Sequence, residues 1–93
     1  MTSEYLVNPN DLERAVNEII DYAKKFGFKK DDEFKQGIIK GLEDKNLKSL
    51  ILKGKKTETK IDFKYLSVNG ISGFTKKDEA PVKVKQFEYL IQY

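Results

Sequence analysis

The stretch "TKIDFKYLSVNG", residues 59–70, starts as a clean alternation and then breaks step. Ile61, Phe63 and Tyr65 fall on one side of an extended chain, Leu66 and Val68 on the other. The segment Val82–Tyr93 breaks step as well. Val82 and Val84 share one side, and Phe87, Tyr89, Ile91 and Tyr93 share the other. Antiparallel pairing of the two segments across residues 70–81 sets Ile61 opposite Ile91, Phe63 opposite Tyr89 and Tyr65 opposite Phe87. The same register puts Val68 opposite Val84, Leu66 opposite Gln86 and Gly70 opposite Val82. Both strands then change sides at one rung.

Two structures satisfy that pattern. Paired bends or bulges keep every apolar residue on one core. Straight strands make a ribbon that is apolar on opposite faces at its two ends. In the second case one helical layer covers the Ile61, Phe63 and Tyr89 side, and something else must cover the other. Burying one such side chain is worth about 1.5–3 kcal/mol, so a bare patch is expected only where it serves as an interface. Loop residues Ile71 and Phe74 fold over it, or a second chain does. Leu66, Val68, Ile71, Phe74, Val82 and Val84 are therefore the candidate partner interface.

Upstream of that ribbon the period is helical. Asn8 is a candidate cap, Pro9 suits a first helical position, and Asp11 brings an acid to the first turn. Leu12, Val16, Ile19, Ala23 and Phe26 recur at spacings of four and three, with Ala15, Ile20 and Tyr22 widening the stripe. Gly27 is a natural stop, and Phe28 is placed to seal it. A second helix starts near Asp31 or Asp32, with Phe34, Ile38, Gly41 and Leu42 as its stripe. Gly37 and Gly41 each cost about 0.8–1 kcal/mol against alanine in a helix. Two of them on the packing side predict that another backbone passes close by, in tight packing on the first helix or the sheet.

After Asn46 the period changes again. Leu47–Lys53 reads as a strand, Gly54-Lys55 as its turn, and Thr57–Asn69 as a longer strand. Residues 70–81 read as a loop punctuated by glycine and proline. The expected fold is α+β: two N-terminal helices packed on a small three-stranded antiparallel sheet. It is expected as one domain over 1–93, with 1–7 a tail or short edge strand, 8–46 the helical pair and 47–93 the antiparallel sheet.

Composition limits the chemistry. The 93 residues contain no cysteine, no histidine and no tryptophan. Disulfides, thiolate metal sites and cysteine nucleophiles are excluded, as are the commonest general base and metal ligand. The longest apolar runs, such as Leu50-Ile51-Leu52, fall far short of the roughly 20 residues that span a bilayer. The start MTSEYLVNPND has neither a basic nor an apolar leader region, so the cytoplasm is the expected location. Residues 1–46 carry eight basic and ten acidic side chains, and residues 47–93 carry ten and five. Positive charge thus collects in the second half, almost all of it lysine, with Arg14 the single arginine. Arginine is the preferred residue for bidentate phosphate and base contacts.

Few constellations converge. Asp31-Asp32-Glu33 and Glu43-Asp44 lack the glycine-turned loop of a calcium site and suit helix ends. Ser49 and Lys53 share a face of a strand but lie roughly 13 Å apart, too far for proton transfer. Gly70-Ile71-Ser72-Gly73 followed by Lys76-Lys77 resembles the GXXG clamp of KH domains, but that clamp joins helices and this stretch joins strands. Phe63, Tyr65, Phe87 and Tyr89 could stack bases between flanking lysines. The lysine candidates for nucleic acid are Lys60, Lys64, Lys76, Lys77, Lys83 and Lys85. Alternation puts Lys60 and Lys64 on the face opposite the aromatics, which favours the aromatics as core.

The stretch "YAKKFGFKKDDEFKQGIIKGLEDKN", residues 22–46, resembles the helical segment near the start of ferredoxin:thioredoxin reductase catalytic chains. There a Tyr-Ala-rich helix end leads through a Gly-aromatic-Lys step into an acidic start and an Ile-Ile-x-Gly-Leu helix. The likeness covers about a quarter of the chain and no functional residue. That family works through a [4Fe–4S] cluster and a redox disulfide, so without cysteines no catalytic position carries over. The resemblance implies a shared helical pair without the chemistry. The expected function is that of a small non-enzymatic, cofactor-free binding or regulatory protein, acting on a protein partner or a second copy through its C-terminal sheet. The alternative is nucleic-acid binding by the lysine-rich half, and no membrane association is expected.

Overall fold

Alternation decides the sheet, and it begins earlier in the chain than expected. The computed structural model describes residues 2–25, 27, 32–54, 58–67, 70–76 and 88–93. In chain order the elements are β1 (Thr2–Val7), α1 (Leu12–Lys24), α2 (Asp32–Glu43), β2 (Ser49–Lys53), β3 (Glu58–Tyr65), β4 (Gly73–Lys76) and β5 (Glu88–Gln92). The five strands form one sheet in the order β4-β1-β3-β2-β5. β1 runs parallel to β3, with Tyr5 beside Phe63. The pairs β1–β4, β2–β3 and β2–β5 are antiparallel.

The α+β class holds, but the three-stranded antiparallel sheet does not: the sheet is five-stranded and mixed. Residues 2–7 are neither tail nor edge. Ser3, Tyr5 and Val7 are fully buried, so β1 has one apolar face and lies between β4 and β3. The glycine-marked stretch after Gly70 contains β4, four residues long, in which Phe74 pairs with Tyr5. β5 pairs with β2, not with β3. Leu50 lies beside Ile91, and Leu52 beside Tyr89.

The broken alternation has a simple cause. β3 ends at Tyr65, and the Leu66 amide donates to the Val7 carbonyl at 2.8 Å where the chain leaves the sheet. Leu66 follows the end of an ordinary one-sided strand, so it is not the far side of a ribbon. Of the residues that changed sides at the expected rung, Val68, Val82 and Val84 lie outside the described residues.

The helices cover one face. Ala15, Val16, Ile19, Tyr22 and Ala23 of α1 are buried, as are Phe34, Ile38, Gly41 and Leu42 of α2. They pack on Tyr5, Val7, Leu50, Leu52, Ile61 and Phe63 in one core. Tyr5 meets Phe74 edge-on at 4.8 Å between ring centroids, Tyr22 lies 5.1 Å from Phe74, and Phe34 lies 4.6 Å from Tyr89. These spacings suit tilted aromatic contacts.

The glycine pair admits close neighbours, but they are side chains and not the backbone its spacing predicts. A Cβ on Gly37 would stand 2.8 Å from Ile91 Cδ1, and one on Gly41 would stand 2.9 Å from Leu47 Cβ and 3.1 Å from Tyr93 Cε1. The bare backbone of α2 therefore makes a notch for the C-terminal strand, and the Tyr93 hydroxyl donates to the Gly37 carbonyl at 3.4 Å. Helix ends differ in how closely they follow the expected signals. α2 starts at Asp32 as expected, and Gly27 stands at φ 91°, a conformation that favours glycine. α1 starts later than Pro9, with Asp11 at its cap position and no side-chain cap bond. Asn8 makes a turn instead: its Oδ1 accepts from the Asn10 amide at 3.0 Å, and its carbonyl accepts from Asp11 at 2.9 Å. Phe26, Phe28 and Asp31 lie outside the described residues.

Candidate interaction surface

With α1 and α2 on one side, every second residue of the strands projects from the other. Across that outer face the register aligns Thr2, Lys60, Ile51 and Leu90 in one row. The next row holds Glu4, Asp62, Ser49 and Gln92, and a third pairs Leu6 with Lys64. Leu90 is 48% exposed, and Ile51 and Leu6 are half-buried. The helices leave these apolar groups on the open side, among charges.

The charges are interleaved by sign. Lys64 Nζ lies 3.2 Å from Glu4 Oε1, and Lys60 Nζ lies 3.7 Å from Asp62 Oδ1. The Thr75 hydroxyl donates to Glu4 Oε2 at 3.4 Å. The Ser49 hydroxyl donates to Gln92 Oε1, which fixes the glutamine amide at the edge of the sheet. Of the six candidate lysines, Lys60 and Lys64 thus sit beside carboxylates. Lys76 closes β4, and Lys77, Lys83 and Lys85 lie outside the described residues. Phe63 is buried, and Tyr65 and Tyr89 point to the helical side, so among the described residues no aromatic platform faces the lysines; Phe87 lies outside them.

The six candidate interface residues separate in the same way. Phe74 packs on Tyr5 and Tyr22 at the margin of the core. Leu66 is half-buried beyond β3. Ile71 is 72% exposed, and the reason is local. The Asn8 amide donates to Ser72 Oγ at 2.7 Å, and the Asn8 side-chain amide donates to the Gly70 carbonyl. One asparagine therefore ties down the residues on either side of Ile71 and leaves that side chain outside. The GXXG-like segment is held to Asn8 by these two bonds and runs into β4 at Gly73. Val68, Val82 and Val84 lie outside the described residues.

Sequence reading missed Leu90 and Ile51. The signal was present: once Tyr89 and Ile91 point inward, Leu90 must point outward, and Ile51 follows from Leu50 and Leu52 in the same way. Tyr93, 54% exposed, continues this edge.

Other polar groups serve the core. The Tyr65 hydroxyl donates to the Leu47 carbonyl at 2.9 Å, and burial raises its pKa. Burial, and then the charge of Glu18, push the Tyr5 phenol up. Among the described residues the Tyr5 hydroxyl and Thr59 Oγ1 are buried with no hydrogen-bond partner within bonding distance. Ser3 Oγ lies 3.4 Å from the Tyr22 hydroxyl. On the far side of the molecule, a groove of about 310 Å³ follows the seam between α1 and α2. Leu12, Val16 and Ile39 line it beside Glu13, Lys35 and Glu43. Among the described residues no three carboxylates gather into a cation site, and no helix is long and apolar enough to cross a membrane. Comparison with known protein families, curated proteins and solved structures gives no match.

Proposed function

We propose that the protein is a small non-enzymatic binding or regulatory protein that acts by protein–protein contact through its C-terminal sheet. One observation carries this reading: Leu90 and Ile51 are apolar side chains that the sheet projects away from the core while burying their neighbours, and Ile71 is a third that the Asn8 bonds leave outside. Leu90 and Ile51 are adjacent rungs of one row, so their surfaces add into one patch. Patches of this kind on a small domain mark contact sites. On this reading the helical pair, including the segment that resembles ferredoxin:thioredoxin reductase chains, is scaffold. A cytoplasmic setting belongs to the same proposal.

A photo-crosslinking residue placed at Ile51, Leu90 or Ile71 should give adducts of discrete mass in cells. The same residue at Asp21, exposed on α1, should not. Equal labelling at all four positions, or none at any, would remove the reading. Nucleic-acid binding by the basic half has weaker support, because Lys60 and Lys64 lie 3.7 and 3.2 Å from carboxylates. That alternative requires affinity for DNA or RNA that falls steeply with salt; no gel retardation at low salt eliminates it.

A further inference from the structure

We propose that β5 pairs antiparallel with β5 of a second copy of this chain, about a two-fold axis at Leu90, joining two five-stranded sheets into one. This rests on the contact reading above and names its occupant. β5 is an edge of the sheet among the described residues. Its backbone is oriented for pairing. The Lys48 amide donates to the Gln92 carbonyl at 2.8 Å, so Gln92, and with it Leu90 and Glu88 at a period of two, turns its backbone toward β2. Ser49, Ile51 and Lys53 then turn toward β5, bonding Gln92, Leu90 and Glu88. The amide and carbonyl of Ile91 consequently face away from β2.

The two edges are built differently. β4 is four residues long, and its register against β1 shifts between Glu4 and Tyr5. Irregularities of this kind protect an edge from further pairing. β5 keeps five regular rungs against β2 and contains no proline or lysine.

Self-complementarity selects a second copy as the occupant. With the axis at Leu90, each Leu90 faces its own image in the close, non-hydrogen-bonded type of pair. Glu88 of one chain then faces Gln92 of the other. The bond from Ser49 leaves the Gln92 amide nitrogen as a donor for that carboxylate. On its other side Glu88 stands beside Lys53, so no like charges oppose each other across the axis. Moving the axis two residues to Glu88 would set that carboxylate against its own image, and like charges directly opposite are destabilising. Charge therefore disfavours an axis at Glu88.

The chain has no cysteine, so one introduced thiol reports one position. Sedimentation of the wild-type chain at rising concentration, to about 1 mM, should move the mass from the 10.8 kDa monomer toward twice that value. Under mild oxidation Leu90→Cys should form a disulfide dimer about tenfold faster than Ile71→Cys, although Ile71 is the more exposed at 72%. Glu88→Cys mixed with Gln92→Cys should cross-link as a mixed pair faster than either alone. A wild type that stays monomeric, or Leu90→Cys cross-linking no faster than Ile71→Cys, overturns the self-pairing. In that event photo-adducts at Leu90 with a different protein would keep the contact reading and change the occupant. Absence of adducts as well would remove both.

Discussion

The two faces of the sheet are built by the same alternation and end in opposite states. On the helical face Tyr5, Leu50, Leu52 and Ile61 are fully buried. One residue along the chain, Ile51 is half-buried and Leu90 is half-exposed. Hydropathy alone does not separate Leu50 from Ile51, since either would be stable in a core. The difference is the helix pair, which has one apolar stripe per helix and so can close only one face. A two-layer domain of this size leaves its second face to water or to a partner.

That contrast predicts an ordered set of effects. The largest belongs to the helical face. Leu50→Ala should cost about 2–5 kcal/mol in urea unfolding, through lost burial and the cavity left behind. Ile51→Ala, one rung position away, should cost about 1 kcal/mol or less. Equal losses would erase the distinction between the faces.

Next come the two glycines where α2 meets the C-terminal strand. Gly41→Ala should destabilise by about 1–3 kcal/mol, because the new Cβ would lie 2.9 Å from Leu47 Cβ and 3.1 Å from the Tyr93 ring. Gly37→Ala meets only the tip of Ile91 at 2.8 Å and the Tyr93 hydroxyl at 3.6 Å. Ile91 can turn aside, and the helix gains about 1 kcal/mol of propensity, so the net change should be close to zero. Thermal unfolding of the two variants side by side checks the difference.

Smaller effects come from the two phenols on the helical face. Tyr65→Phe loses the bond to Leu47 and should cost about 0.5–1.5 kcal/mol. Tyr5→Phe removes a buried hydroxyl with no partner among the described residues and should be neutral or stabilising by up to about 1 kcal/mol. Both phenols titrate higher folded than unfolded. Their contribution is complete below the ordinary tyrosine range near 10 and is lost as pH rises through the folded values. Alkaline unfolding should therefore be delayed in Tyr5→Phe. The smallest effect belongs to the open face: Lys64→Ala, which breaks an ion pair 63% exposed at its lysine end, should change stability by no more than about 0.5 kcal/mol.

Local features were legible in the sequence, and long-range pairings were not. The stripe of α2 and its glycine notch follow from spacing within one helix. Residues 1–7 read only as a tail or short edge strand because Ser3, the small polar residue that completes the buried face of β1, does not stand out as apolar. β4 was hidden in a stretch rich in glycine. The partner of β5 could not be read at all. Tyr89 and Ile91 fit Phe63 and Ile61 as well as they fit Leu52 and Leu50, because each pair is apolar at a period of two. Only the shape of the whole sheet separates those choices. The candidate surface was lost for the same reason: Leu90 and Ile51 become visible once it is known which neighbours face inward.

The urea-unfolding midpoint of an Ile51→Thr, Leu90→Lys double variant, taken at low protein concentration, tests the contrast of the faces most directly. A surface held outside the core predicts a loss within about 1.5 kcal/mol and an unchanged dependence on urea. A loss of about 4 kcal/mol or more would place both side chains inside the core and leave the sheet without an open face to offer.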